Sequence, residues 1–253
     1  LYAWNDTSFH QINPDDGNVN QIRSHVSGTG RSLINLSESL YWTYTEEFGI
    51  VGPKVRLEKL DHDLSEMAQF NDDNLNLSMT IGNVVIDGAI TPSNTLELYL
   101  GITYMENGLP DKITVAKIGD MQNNFELINS RTWGQSGIFA HQIAFFSPTR
   151  QLRILGTTNQ AITNYEMGKL DGQDAFLAEL NSDNLDIASV RYFGSYNNDK
   201  GAGLHLLAEG GLPCMVGTFS GEPDPGLNFL NAYSSLDDIA IWCDKEELVS
   251  PMK

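Results

Sequence analysis

A chain of 253 residues with a formal net charge of −18 is repelled by the phosphates of nucleic acid and by anionic lipid surfaces, which argues against both as partners. No apolar run approaches the roughly 18 residues that a membrane span needs. The length suffices to bury one large core, as all-β folds of this size often do in a single domain. The acidity predicts a solvated surface, with cation binding or a salty habitat as its sharper reading. No signal peptide is recognisable and the chain opens on Leu1, which a processed or trimmed N-terminus would explain.

Along the chain, short stretches rich in β-branched and aromatic residues alternate with Asn, Asp, Gly and Ser, the pattern of strands and turns. Leu1-Tyr2-Ala3-Trp4 opens as the second strand of a unit, with no Gly-led strand before it, and Phe9-His10-Gln11-Ile12-Asn13 follows as its third. The next unit starts at Gly30, with Ile34 four places on, then runs through 40–45 and Leu57-Glu58-Lys59-Leu60-Asp61. Gly82 and Ile86, then 98–103, then Val115-Ala116-Lys117-Ile118-Gly119 repeat it, and a fourth strand ends in Arg131-Thr132-Trp133-Gly134. Gly137 and His141, 153–158, Leu177-Ala178-Glu179-Leu180-Asn181 and Arg191-Tyr192-Phe193-Gly194 repeat it again. Gly201 and His205, 214–219 and Ala240-Ile241-Trp242-Cys243-Asp244 end the series.

Apart from a shorter first interval, the third-strand motif recurs about every 60 residues, a spacing in the range of propeller blades. The expected fold is therefore an all-β propeller of about five four-stranded blades, in units near 1–30, 31–80, 81–136, 137–200 and 201–253. Three units read as full, one as nearly full and one as beginning mid-blade, so part of a larger propeller or a longer chain remains open. Strands near 32–37, 84–91, 138–146 and 202–208 are predicted innermost.

The segment Asp174-Ala175-Phe176-Leu177-Ala178-Glu179-Leu180, with Arg191-Tyr192-Phe193-Gly194, 201–208 and Met215-Val216-Gly217-Thr218, resembles one repeat of the SBBP-type β-propellers. The likeness extends more loosely over 112–158. Glu179 stands where that family carries Lys, and the Asp expected after Ala208 is missing. The resemblance implies an extracellular or surface propeller and no single activity, since propellers host many functions.

The residues that carry chemistry are few. Cys214 and Cys243 fall on what should be antiparallel neighbours, where Cα atoms within about 7 Å permit a bridge. Two buried free thiols are the other reading. No cysteine spacing suits zinc. His141 and His205 read as equivalent positions on successive inner strands, where two imidazoles either share a metal or polar ligand or pack as Ile34 and Ile86 would. His10, His25 and His62 fit no pattern. Around 13–20, Asp15, Asp16, Asn18 and Asn20 form a turn first and a calcium loop second, since the EF-hand spacing and bidentate Glu are absent. No cofactor is expected, with calcium at this turn as the alternative. Asn5, Asn35 and Asn76 match the glycosylation pattern.

No nucleophile elbow or phosphate loop is present, and no carboxylate pair stands out as a glycosidase pair. Two long connections, 159–172 and 220–236, join second to third strands where earlier units need about ten residues. Tyr165, Met167, Phe229 and Tyr233, with Pro223 and Pro225, give them apolar content, and both should emerge on one face. The expectation is an extracellular, cell-surface or periplasmic binding or assembly module that meets other protein chains or surface glycans. The alternative is a carbohydrate-active enzyme with its site at the channel mouth.

Overall fold

The computed structural model describes residues 2–4, 8–13, 15–24, 28–36, 38–48, 52–71, 80–91, 95–120, 124–134, 136–162, 172–193, 198–206, 213–219 and 238–243. Among these the chain is all-β: every strand pair is antiparallel, and the one helical element is a 3-10 turn at Ser147–Thr149.

Five sheets follow one another in chain order. The first holds β1 (Tyr2–Trp4), β2 (Ser8–Ile12) and β3 (Val19–Ser24). The second holds β4 (Gly28–Leu36), β5 (Ser39–Phe48), β6 (Gly52–Leu60) and β7 (Glu66–Asn71). The third holds β8 (Thr80–Ile90), β9 (Leu96–Glu106), β10 (Leu109–Asp120) and β11 (Phe125–Trp133). The fourth holds β12 (Phe139–Phe146), β13 (Gln151–Thr158), β14 (Asp174–Asn181) and β15 (Ile187–Phe193). The fifth holds β16 (Lys200–Leu206), β17 (Pro213–Phe219) and β18 (Asp238–Cys243). The strands predicted innermost are β4, β8, β12 and β16, each at one edge of its sheet.

The repeat is exact to the residue at the third and fourth strands. Pairing slips by one residue between Gln11 and Ile12, Lys59 and Leu60, Lys117 and Ile118, and Glu179 and Leu180. Each slip is a β-bulge inside the motif that recurs in the sequence, and a bulge bends and twists its sheet the same way every time.

Neighbouring sheets pack face to face: β8 lies against β4 on one side and β12 on the other, and β12 lies against β16. Tyr41, Leu57 and Phe70 meet Val84, Leu100 and Ile102 between the second and third sheets. Val85, Tyr99 and Trp133 meet Phe145, Ile154 and Phe176 between the third and fourth. Leu155, Leu177 and Phe193 meet Leu204 and Met215 between the fourth and fifth. A sheet packed on both faces needs unbroken apolar strands, so β9 is buried continuously from Leu98 to Tyr104. The outer strand β11 instead alternates, with Phe125 buried and Glu126 exposed.

A polar contact ties the first four sheets in sequence. From the strand that carries the repeated motif in one sheet, a side chain reaches the end of the corresponding strand in the next or the turn just after it. Gln11 Nε2 donates to the His62 carbonyl (2.9 Å). Lys59 Nζ meets Asp120 Oδ2 (2.6 Å), which also accepts from the Tyr41 hydroxyl (3.1 Å). Lys117 Nζ donates to the Ser182 carbonyl (3.3 Å) and lies 3.0 Å from Glu97 and 3.8 Å from Asp183. In the fourth sheet the lysine's place is taken by Glu179, which lies 3.6 Å from Arg153.

The early connections differ from expectation. Strands β9 and β10 run on until only Asn107 and Gly108 join them, at φ 52° and 79°, the left-handed pair of a tight hairpin turn. The connection from β5 to β6 spans 49–51. The sequence reading placed about ten residues there because it ended the strands too early.

Candidate functional site

The four edge strands enclose a cavity of about 520 Å³, lined by residues 32–34 of β4, Asn83 and 85–87 of β8, 141–146 of β12 and 204–206 of β16. An edge strand leaves one row of backbone donors and acceptors unpaired. Here side chains of the preceding sheet satisfy part of that row. Asn83 Nδ2 donates to the Ala140 carbonyl (2.9 Å), and Thr103 Oγ1 accepts from the Ala140 N–H (2.9 Å). Asp87 Oδ2 accepts from the Phe145 N–H (2.7 Å), and Gln142 Oε1 accepts from the Leu204 N–H (2.6 Å). Burial pushes the Asp87 carboxyl above its ordinary range, and the N–H groups of Phe145 and Gly88 pull it back in part.

His141 and His205 both line the cavity, but they are not equivalent. Each edge strand carries one bulge against its neighbour, at Arg31, Gly82, His141 and Ala202. His141 is thus the bulge residue of β12, whereas His205 lies three places past the bulge of β16 and opposite Cys214. Aligning strands on their leading glycine missed this, because Gly137 precedes β12 while Gly201 lies within β16. The His141 ring bonds Thr157 Oγ1 through Nε2 (2.6 Å) and packs on Phe139 at 4.9 Å. Burial, with the Lys200 charge beside it, lowers its pKa to about 4, so the ring is neutral at pH 7. His205 is exposed.

The cysteine register is direct: Cys214 pairs with Cys243 across β17 and β18. Cys214 is disulfide-bonded, and Cys243 is the one other cysteine of the chain. Near the N-terminus, Asn13 Oδ1 accepts from the Asp15 N–H (3.0 Å) and Asp16 Oδ1 from the Asn18 N–H (2.9 Å), so these side chains close a turn around Gly17. Tyr165, Met167, Phe229 and Tyr233 lie outside the described residues, as do Asn5 and Asn76, while Asn35 is exposed on β4.

One pair of acids escaped the sequence reading. Asp174 opens β14 and Asp199 precedes β16; both are 0% exposed. The Asp199 N–H donates to the Gln173 carbonyl (2.6 Å), and the Gln173 N–H to Asn198 Oδ1 (3.0 Å), which holds the two segments side by side. Neither carboxylate oxygen of Asp174 has a hydrogen-bond partner. Burial, then the Asp199 charge, raises the Asp174 pKa to about 7. Twenty-five residues separate the two in sequence, so no local spacing marks them. Among the described residues, no group of three or more His, Cys, Asp and Glu side chains gathers as a metal cluster. No helix among them is long and apolar enough to cross a membrane.

No protein-family model matches this sequence, and no curated protein matches it. Among solved structures it is similar to the tail fiber of Staphylococcus aureus phage P68, at 8% identity and a TM-score of 0.29. That alignment covers 85% of this chain and 51% of the fiber chain, so the chain spans about half the length of this neighbour.

Proposed function

We propose that the sheets are blades of a β-propeller whose axis runs through the cavity, and that the chain is an extracellular binding or assembly module. The observation that carries this reading is the engagement of the cavity's polar side chains by the protein itself: Asn83, Asp87 and Gln142 bind backbone of the next strand, and His141 binds Thr157. Those groups hold sheets together, which leaves recognition of a protein chain or surface glycan to the loops at the ends of the strands. The bonded state of Cys214 supports an oxidising compartment.

A glycosidase needs two carboxylates held across a sugar. The cavity lining contains one, Asp87, and the Asp174–Asp199 pair is shut off from solvent. Glycan-array binding and cross-linking to neighbours on the native surface test the proposal. Deleting 220–236 should weaken capture while the far-UV circular dichroism stays that of a β protein. Turnover of a polysaccharide, abolished by Asp87→Asn, would replace the binding reading with the enzymatic one.

A further inference from the structure

We propose that the cavity between the four edge strands binds a small neutral saccharide, held by the halves of its polar side chains that the sheets do not use. Asn83 commits Nδ2 to the Ala140 carbonyl (2.9 Å), which leaves Oδ1 as an acceptor. Gln142 commits Oε1 to the Leu204 N–H (2.6 Å), which leaves Nε2 as a donor. His141 commits Nε2 to Thr157 (2.6 Å), which leaves Nδ1. All three residues line the cavity and are half-buried. Their remaining atoms have no other partner among the described residues and are not sealed from solvent, so they open into the cavity from β8 and β12. Ser32 adds a hydroxyl from β4.

The walls select against charge. No lysine or arginine lines the cavity, so a phosphate or carboxylate would enter without a counter-charge. Burial and the Lys200 charge keep the His141 ring neutral at pH 7. The one acid of the lining, Asp87, is already engaged by the Phe145 N–H (2.7 Å).

A hydroxyl both donates and accepts, so a ring of hydroxyls satisfies Asn83 Oδ1, Gln142 Nε2 and either tautomer of His141. Between these groups the walls are apolar, with Leu33, Val85 and Phe146, which suits the C–H faces of a sugar ring. The volume of about 520 Å³ falls within the roughly 300–1,000 Å³ of small-molecule sites and has room for a mono- or disaccharide. The site is separate from the recognition assigned to the loops, so its failure would leave that reading standing.

The test titrates the full chain with glucose, galactose, cellobiose and N-acetylglucosamine as neutral probes and with glucuronate and glucosamine as charged ones, followed by calorimetry and by NMR of the side-chain amides. At least one neutral probe should bind saturably with a Kd of about 1 mM or tighter, and it should shift the side-chain amide signals of Asn83 and Gln142. Both charged probes should bind at least about tenfold more weakly. Gln142→Glu keeps the acceptor for the Leu204 N–H but loses the free donor. It should keep the circular dichroism of the wild type and weaken the neutral sugar at least about tenfold. No saturable binding by any neutral probe would overturn the site. So would binding that leaves both amide signals in place, which would move the sugar elsewhere, or undiminished binding by the folded variant. Equal or tighter binding of a charged probe would overturn the choice of a neutral ligand.

Discussion

The junction between the third and fourth sheets and the one between the fourth and fifth treat buried charge in opposite ways. In the first, Glu97 meets Lys117 at 3.0 Å and Arg150 at 3.3 Å and accepts from the Tyr99 hydroxyl at 3.0 Å. Burial alone would push the Glu97 carboxyl up; Lys117, Tyr99 and Arg150 outweigh it and hold it below its ordinary range. Arg150 continues to Asp183 at 2.6 Å, so Glu97 and Asp183 both have cations. In the second, Asp174 has a like charge beside it and no partner. Nearly the same strand frame therefore serves as an ion-paired seam in one place and in the next buries Asp174 beside a like charge with neither of its oxygens hydrogen-bonded.

The sharpest way to break the paired junction is Lys117→Ala. Lys117 is 6% exposed, and its loss leaves Glu97 with Arg150 and the Tyr99 hydroxyl but removes a buried charge-assisted contact, so urea denaturation should show a loss of about 2 kcal/mol. Arg131 and Asp186 form the control, with both side chains about half exposed. Arg131→Ala should cost below about 1 kcal/mol, because solvent screens that pair. Equal losses would mean that the network is solvated and the contrast false.

The junction that holds Asp174 should announce itself through pH. The Asp174 pKa is raised from 3.8 to about 7, so between those values the folded chain binds more protons than the unfolded one. Stability then falls as pH rises from about 4 to about 7, and the deficit is complete above that window. Melting temperature against pH should show this slope, and Asp174→Asn should flatten it. A wild-type curve that is as flat as the variant's would remove the Asp174 charge from the comparison.

A smaller effect is expected at the cavity wall. Gln142→Ala leaves the Leu204 N–H without its acceptor and should cost about 1–3 kcal/mol by urea denaturation, with faster amide exchange at Leu204. Gln142→Glu keeps an acceptor and should restore the protection.

Much of the sheet order was legible. Ile12, Leu60, Ile118 and Leu180 each follow a bulge at the place where the motif repeats, since a packed sheet bulging at one position demands the same residue types there. The tight Asn107-Gly108 turn carried a sequence signal that was passed over, because a hairpin so close breaks the apparent spacing of the units. The equivalence of His141 and His205 failed by three residues of register, which no side-chain pattern records when a bulge residue is polar in one strand and alanine in another.

By itself the sequence determined the strand content, the unit length and the strands at the sheet edges. These follow from periodicity and composition, which are properties of the chain read in order. Only the tertiary structure decided which polar groups bond across sheets, that Cys214 faces Cys243, and that Asp174 lies beside Asp199 with no partner. Such facts depend on packing between segments distant in sequence, where burial strips water from a charge and makes its neighbours decisive.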